Sequence, residues 1–141
     1  MPEFLIEVDG SARNNPGPAG IGVRVVRPDG TVLREISRCV GVRTNNQAEY
    51  LALIRGLEEA RRLGDARVVV RTDSELVARQ LGGHYRVKNA DLKPLHARAV
   101  ALLGTLPRVR VAHVPREQNA AADRLAQDAS GAGTAGDSLP S

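Results

Sequence analysis

The chain alternates first and turns helical later. Ile6 and Val8 interleave with Glu7 and Asp9, so Glu3 to Asp9 reads as a strand. The stretch from Gly10 to Gly20 is rich in Gly, Pro and Asn and reads as a turn. Alternation resumes over 21–27 (IGVRVVR), and Pro28-Asp29-Gly30 is a strong turn signal. Thr31 to Val40 reads as a third strand, and three strands joined by short turns make an antiparallel meander. The period then changes. Between Asn46 and Leu63, apolar Ala48, Leu51, Leu53, Ile54 and Leu57 are offset from Arg55, Glu58, Glu59, Arg61 and Arg62. That is an amphipathic helix, closed by Gly64. Arg67 to Thr72 carries Val68-Val69-Val70, a run suited to a strand covered on both faces. Ser74 to Leu81 reads as a short helix stopped by Gly82-Gly83, and Asp91 to Leu103 as a third helix. Val109 to Val114 is a fifth strand and Glu117 to Ala129 a last helix.

The order βββαβααβα predicts an α/β fold: a five-stranded mixed sheet with helices packed on it. Residues 1–129 form one domain on this reading, and the small, polar stretch 130–141 is a flexible tail. The length of 141 residues suits a single core. A hydrophobic share of 42% with 26% charged residues excludes disorder over the whole chain. The longest stretch without Asp, Glu, Lys or Arg runs only from Asn14 to Val23, well short of the roughly 20 apolar residues of a membrane span. The N-terminus lacks the layout of a signal peptide. A single cysteine, Cys39, rules out an internal disulfide framework or a multi-cysteine zinc site. It fits a reducing cytosol, so a cytoplasmic location is expected.

Charge narrows the partner. The net charge is +4 with a pI near 10.0. This suggests a polyanion, although a slightly basic soluble protein has the same balance. Phe4, Tyr50 and Tyr85 are the only aromatics, which weakens a base-stacking single-strand binder.

Four acids stand at informative places. Asp9 closes the first strand, Glu49 lies in the first turn of the first helix, Asp73 closes the fourth strand, and Asp123 falls early in the last helix. In a mixed sheet, strand ends and adjacent helix starts converge on one edge. Four carboxylates gathered there repel, and one takes up a proton unless cations bind among them. Hard divalent ions accept such oxygens and suit two-metal phosphodiester chemistry. Each acid also has a local role open to it. Asn46 with Glu49 is a capping-box pattern, and Asp73 can cap the next helix. Asp123 favours a helix dipole, and Asp9 before Gly10 suits a turn.

Four segments then point to a family. They are DGSARNNPGPAGIG at 9–22, TNNQAEY at 44–50, TDSE at 72–75 and PREQNAAADRLA at 115–126. In this order they resemble ribonuclease H type I, over about residues 3 to 129. The resemblance implies endonucleolytic cleavage of the RNA strand of an RNA/DNA hybrid. It implies two Mg²⁺ or Mn²⁺ ions, no organic cofactor, and 5′-phosphate and 3′-hydroxyl ends. Carried over, the catalytic metal ligands are Asp9, Glu49, Asp73 and Asp123. Asn15, Asn46 and Gln47 become candidates for the RNA 2′-hydroxyl, and Thr44 for a DNA phosphate. Asn15 also suits the turn before Pro16.

The chain departs from the family pattern in three places. Where many members carry a histidine before the last acid, this loop reads VPREQN, and Arg116 becomes the candidate for the scissile phosphate. His113 lies inside the fifth strand and reads as structural. Between Gly82 and Ala90 only Arg86 and Lys88 are basic, so the basic protrusion of some members is missing. Modest affinity and a preference for Mn²⁺ are expected from that. Glu75 replaces a frequent amide, and Tyr85 suits helix-end packing better than stacking. Three rivals stay open: a non-catalytic nucleic-acid-binding module of the same fold, a less selective nuclease that also cuts duplex RNA, and an excised domain of a larger enzyme. A monomer that does not enter membranes is the default.

Overall fold

The computed structural model describes residues 3–131. The meander comprises β1 (Glu3–Ala12), β2 (Gly17–Val26) and β3 (Val32–Arg43). Then come α1 (Asn45–Arg62), β4 (Arg67–Thr72), α2 (Glu75–Leu81), α3 (Lys93–Gly104), β5 (Val109–His113) and α4 (Ala120–Gly131). A 3-10 turn over Arg116–Asn119 leads into α4. The five strands form one mixed sheet in the order β3-β2-β1-β4-β5. β1 pairs antiparallel with β2 and parallel with β4, and β4 pairs parallel with β5.

The two faces of the sheet carry different helices. Ile6, Val8 and Val70 point to one face and close around Gly56 of α1. Their burial with Tyr50, Leu53 and Leu57 makes the main core. Each such side chain contributes about 1.5–3 kcal/mol by leaving water. On the other face α4 lies across β1, β2 and β3. A Cβ on Gly22 would stand 2.2 Å from the Ala122 carbonyl oxygen, and one on Gly20 2.5 Å from that of Ala126. These glycines are therefore small because a helix backbone rests on them.

That contact corrects the turn expected from Gly10 to Gly20. The ladder continues through Ala12 paired with Ala19, and only residues 13–16 turn. The glycines belong to strand pairing and helix packing. The last helix also starts later than expected, at Ala120, and runs through Ser130 and Gly131. Ser130 is buried and donates its hydroxyl proton to the Gln127 carbonyl at 2.8 Å. The remainder of the expected tail, 132–141, lies outside the described residues.

Two local alternatives are settled. The α1 N-cap is Thr44, and its capping box pairs it with Gln47, so Asn46 and Glu49 do not form one. The α2 N-cap is Ser74, which frees Asp73 from that role.

Candidate active site

Asp9 and Asp73 face the same side because Glu7 pairs with Arg71 in the parallel β1–β4 ladder. Asp73 follows Arg71 by one alternation, just past the end of β4. Asp9 follows Glu7 in the same way but does not close its strand as expected, because β1 runs on to Ala12 against β2. Glu49 approaches from α1. Since α1 starts at Asn45, Glu49 falls just past the first turn. Its Oε1 accepts the Gly10 amide at 2.9 Å. A Cβ at Gly10 would stand 2.2 Å from the Ala48 carbonyl carbon, so glycine is what lets α1 come this close to β1.

Asp123 completes the cleft from α4. One turn later, Gln127 donates its amide N–H to both Asp123 oxygens at 3.2 Å. Nη2 of the exposed Arg116 lies 3.6 Å from Asp123 Oδ2. Asn119 is fully buried and donates to the Val8 carbonyl at 2.8 Å, which pins the start of α4 to β1 one residue before Asp9. The cleft is lined by Asp9, Gly10, Asn45, Glu49, Asp73, Arg116 and Asp123, with Ser11 beside them.

Carboxylate oxygens of Asp9, Glu49 and Asp73 lie within 4.8 Å of one another. Asp9 is buried, and its carboxyl is pushed far above its ordinary range. Burial is the main cause, followed by the Glu49 charge, a hydrogen bond shared with Asp123, and Asp73. Glu49 is also pushed up, to about 7, by burial and then by Asp73, against the opposing pull of the Gly10 amide. A divalent cation relieves all of these repulsions at once. The donor set fits a hard metal ion.

The expected substrate contacts lie beside this cleft. Thr44 Oγ1 accepts the Gln47 amide at 3.1 Å, and Gln47 Oε1 accepts the Thr44 amide at 2.8 Å. The Gln47 side-chain N–H₂ and the Thr44 O–H remain as donors. Asn46 is exposed on the first turn of α1. Asn15 Oδ1 accepts the Asn45 amide at 2.9 Å, and Asn45 Oδ1 accepts the Ala12 amide at 2.8 Å. Asn45 thus ties the β1–β2 hairpin to α1 and lines the cleft as well, a role the sequence reading left unassigned. His113 ends β5 exposed and does not line the cleft. Tyr85 packs at the end of α2, under the Arg79 guanidinium at 5.5 Å.

Asn119 opens the N-x-x-x-D motif that ends at Asp123, whereas the role of Gln127 is apparent only in the structure. Its place four residues after Asp123 puts the two on one helix face.

Residues 7–129 match the family described as reverse transcriptase-like. Over 128 residues the chain is 46% identical to the bifunctional protein Rv2228c of Mycobacterium tuberculosis, covering 90% of this chain and 35% of that protein. It is 43% identical over 121 residues to ribonuclease HI of Halobacterium salinarum, covering 86% of this chain and 61% of that one. The chain therefore spans only part of the length of these curated relatives. Among solved structures, the N-terminal RNase H domain of Rv2228c superposes with a TM-score of 0.83 at 46% identity, covering 90% of this chain and 98% of that one. LC11-RNase H1 in complex with an RNA/DNA hybrid gives 0.84 at 44% identity, covering 92% and 97%. The converging acids, the sheet order and these likenesses agree: the chain belongs to the type 1 ribonuclease H family.

Proposed function

We propose that this chain is an endonuclease that hydrolyses the RNA strand of RNA/DNA hybrids. The observation that carries the reading is the convergence of Asp9, Glu49 and Asp73 oxygens within 4.8 Å, on a fold whose relative was solved with such a hybrid. On this reading Asp9, Glu49, Asp73 and Asp123 hold two Mg²⁺ or Mn²⁺ ions. When bound, the ions supply activation of an attacking water and stabilisation of the leaving oxygen.

The chain's own residues do the rest. Gly10 and Gln127 fix the orientations of Glu49 and Asp123, so the carboxylates are in place before substrate arrives. Arg116 stands at the rim with its guanidinium directed at Asp123, and on this reading it is the group offered to the scissile phosphate. The free N–H groups of Asn15, Asn46 and Gln47 offer donors to 2′-hydroxyls, which only the RNA strand carries. The Thr44 hydroxyl retains its proton for a DNA phosphate. The bond from phosphorus to the 3′-oxygen breaks, leaving a 3′-hydroxyl and a 5′-phosphate.

No helix among the described residues is long and apolar enough to cross a membrane. Cys39 is the one cysteine of the sequence. Action as a cytoplasmic monomer is part of the proposal.

The test uses an RNA/DNA hybrid with labelled RNA, beside duplex RNA and duplex DNA, in Mg²⁺, Mn²⁺ or EDTA. Metal-dependent cutting of the hybrid RNA, with duplex DNA intact, is the expected result. Hybrid binding without cutting in either metal would replace this reading with that of a binding module. Equal cutting of duplex RNA would replace it with that of a less selective nuclease.

A further inference from the structure

The arginines of this chain are not placed alike. Several sit in ion pairs: Arg34 and Arg55 reach Glu59 at 3.4 and 3.2 Å, and Arg98 reaches Glu58 at 3.0 Å. Arg27, Arg67, Arg71 and Arg110 have no carboxylate within 4.0 Å among the described residues. All four line one region.

The strand registers explain why. In β4, residues 67, 69, 71 and 73 share a face, because side chains alternate. Val69 pairs with Leu5 on one side and Arg110 on the other, and Arg71 pairs with Glu7 and Ala112. Arg67, Arg71 and Arg110 therefore lie on the face to which Asp9 and Asp73 point. α4 packs on β1, β2 and β3 and leaves this face of β4 and β5 open. The open part is a shallow cleft floored by Leu5, Val26, Val69 and Ala112, with Arg27, Arg71 and Arg110 at its rim. A second cleft adjoins it at Glu3 and Arg110 and brings in Arg67.

Three acids face these cations, and exposed Asp29 interacts with Arg27. Glu3 is exposed opposite Arg67. Glu7 is buried and lies 3.8 Å from Arg24, so its charge is shared before Arg71 is counted. A positive excess remains, and it repels itself until an anion covers it. Arg71 stands one alternation from Asp73, about 6.6 Å, and Arg67 three alternations away, about 20 Å. The cations thus form a track that starts beside the acids holding the cut strand. Guanidinium groups suit phosphates, and none of the floor residues Leu5, Val26, Val69 and Ala112 offers a ring to a base.

We propose that the open face of β4 and β5 is a second phosphodiester-binding surface, which takes the single-stranded RNA flank running on from the hybrid. This rests on the hybrid-cleavage reading above. Contact through phosphates makes it indifferent to sequence and sensitive to salt. Each phosphate contact weakens affinity about threefold for a fourfold rise in salt.

The test measures binding by fluorescence anisotropy in EDTA, where no turnover intrudes. Blunt hybrids are compared with hybrids whose RNA strand extends by about ten nucleotides at the 5′ or the 3′ end. The proteins are the wild type, the pair Arg67→Gln/Arg110→Gln, and a charge-matched control pair on the helices, Arg61→Gln/Arg98→Gln, all shown to be folded by circular dichroism. One extension is expected to raise wild-type affinity by about threefold or more at low salt. The Arg67/Arg110 pair should lose that gain, while the control pair keeps it and blunt-hybrid binding stays unchanged. No gain from either extension would overturn the proposal, and so would equal loss in the control pair or equal weakening on blunt hybrid. Cleavage of the blunt hybrid in Mg²⁺ or Mn²⁺ is scored separately. Its failure refutes the nuclease reading, whereas its success without an extension effect refutes only the second surface.

Discussion

On the proposed function, Asp73 ties catalysis to stability at the scale of single residues. Its charge helps raise Glu49 from an ordinary 4.5 to about 7 in the metal-free protein. A carboxyl raised on folding binds its proton more tightly in the native state. Stability from that proton is complete below the unfolded value and is lost as pH rises through the folded one. The metal-free protein should therefore lose stability as pH rises from about 4.5 to about 7. Asp73→Asn removes part of the repulsion, so in EDTA at about pH 8 it should melt at least about 3 °C above wild type. Thermal melts across pH check this, and a variant that melts below wild type at every pH would refute the repulsion argument. Gln127 acts through Asp123. Gln127→Ala should lower kcat about tenfold while hybrid affinity holds, and it should raise the metal concentration needed for half-maximal rate. An unchanged metal requirement would deny Gln127 its positioning role.

At the scale of elements, close approach and capping position the acids. Thr44 and Gln47 close the N-terminus of α1 in a reciprocal capping box, and this fixes where Glu49 emerges. Thr44→Ala should cost about 1 kcal/mol of stability, measured by urea unfolding. An effect near zero would mean that the cap is made by other groups. Gly22 carries the backbone of α4, and Gly22→Val should destabilise far more, because Ala122 and Leu125 occupy the space. The elements themselves were largely legible, since hydrophobic period separates strands from helices. The length of the first hairpin was not. Gly17 and Gly20 look like turn residues in the sequence and are strand residues, Gly17 against the Arg13 carbonyl and Gly20 under α4, a distinction that only the contacts in the fold make. The cap was ambiguous for a related reason: T-x-x-Q and N-x-x-E overlap in TNNQAE, and propensity favours neither. The acids were readable through their motif context. Their mutual distances come from the register of β1 on β4 and from Gly10, which spacing alone does not reveal.

At the scale of the whole molecule, charge is divided between an acidic edge and a basic remainder. The net +4 includes the four cleft acids, and setting them aside doubles the basic excess. Cations bound at the edge remove its repulsion toward a polyanion, so hybrid affinity should rise with divalent ion and fall steeply with monovalent salt. On the proposed function, folding is coupled to the same ions. Saturating Mg²⁺ or Mn²⁺ at a hundred times its dissociation constant should stabilise the native state by about 2.7 kcal/mol, and less if the unfolded chain binds it too. Asp73→Asn should lose most of that stabilisation. The decisive measurement is single-turnover cleavage of the labelled RNA strand by wild type and Asp73→Asn, side by side over a range of Mg²⁺ and Mn²⁺. Wild type should cut only the RNA strand and only with metal, while the folded variant falls at least about a hundredfold short at every metal concentration. A variant that cuts at nearly the wild-type rate, or a wild type that cuts equally well in EDTA, would contradict the account.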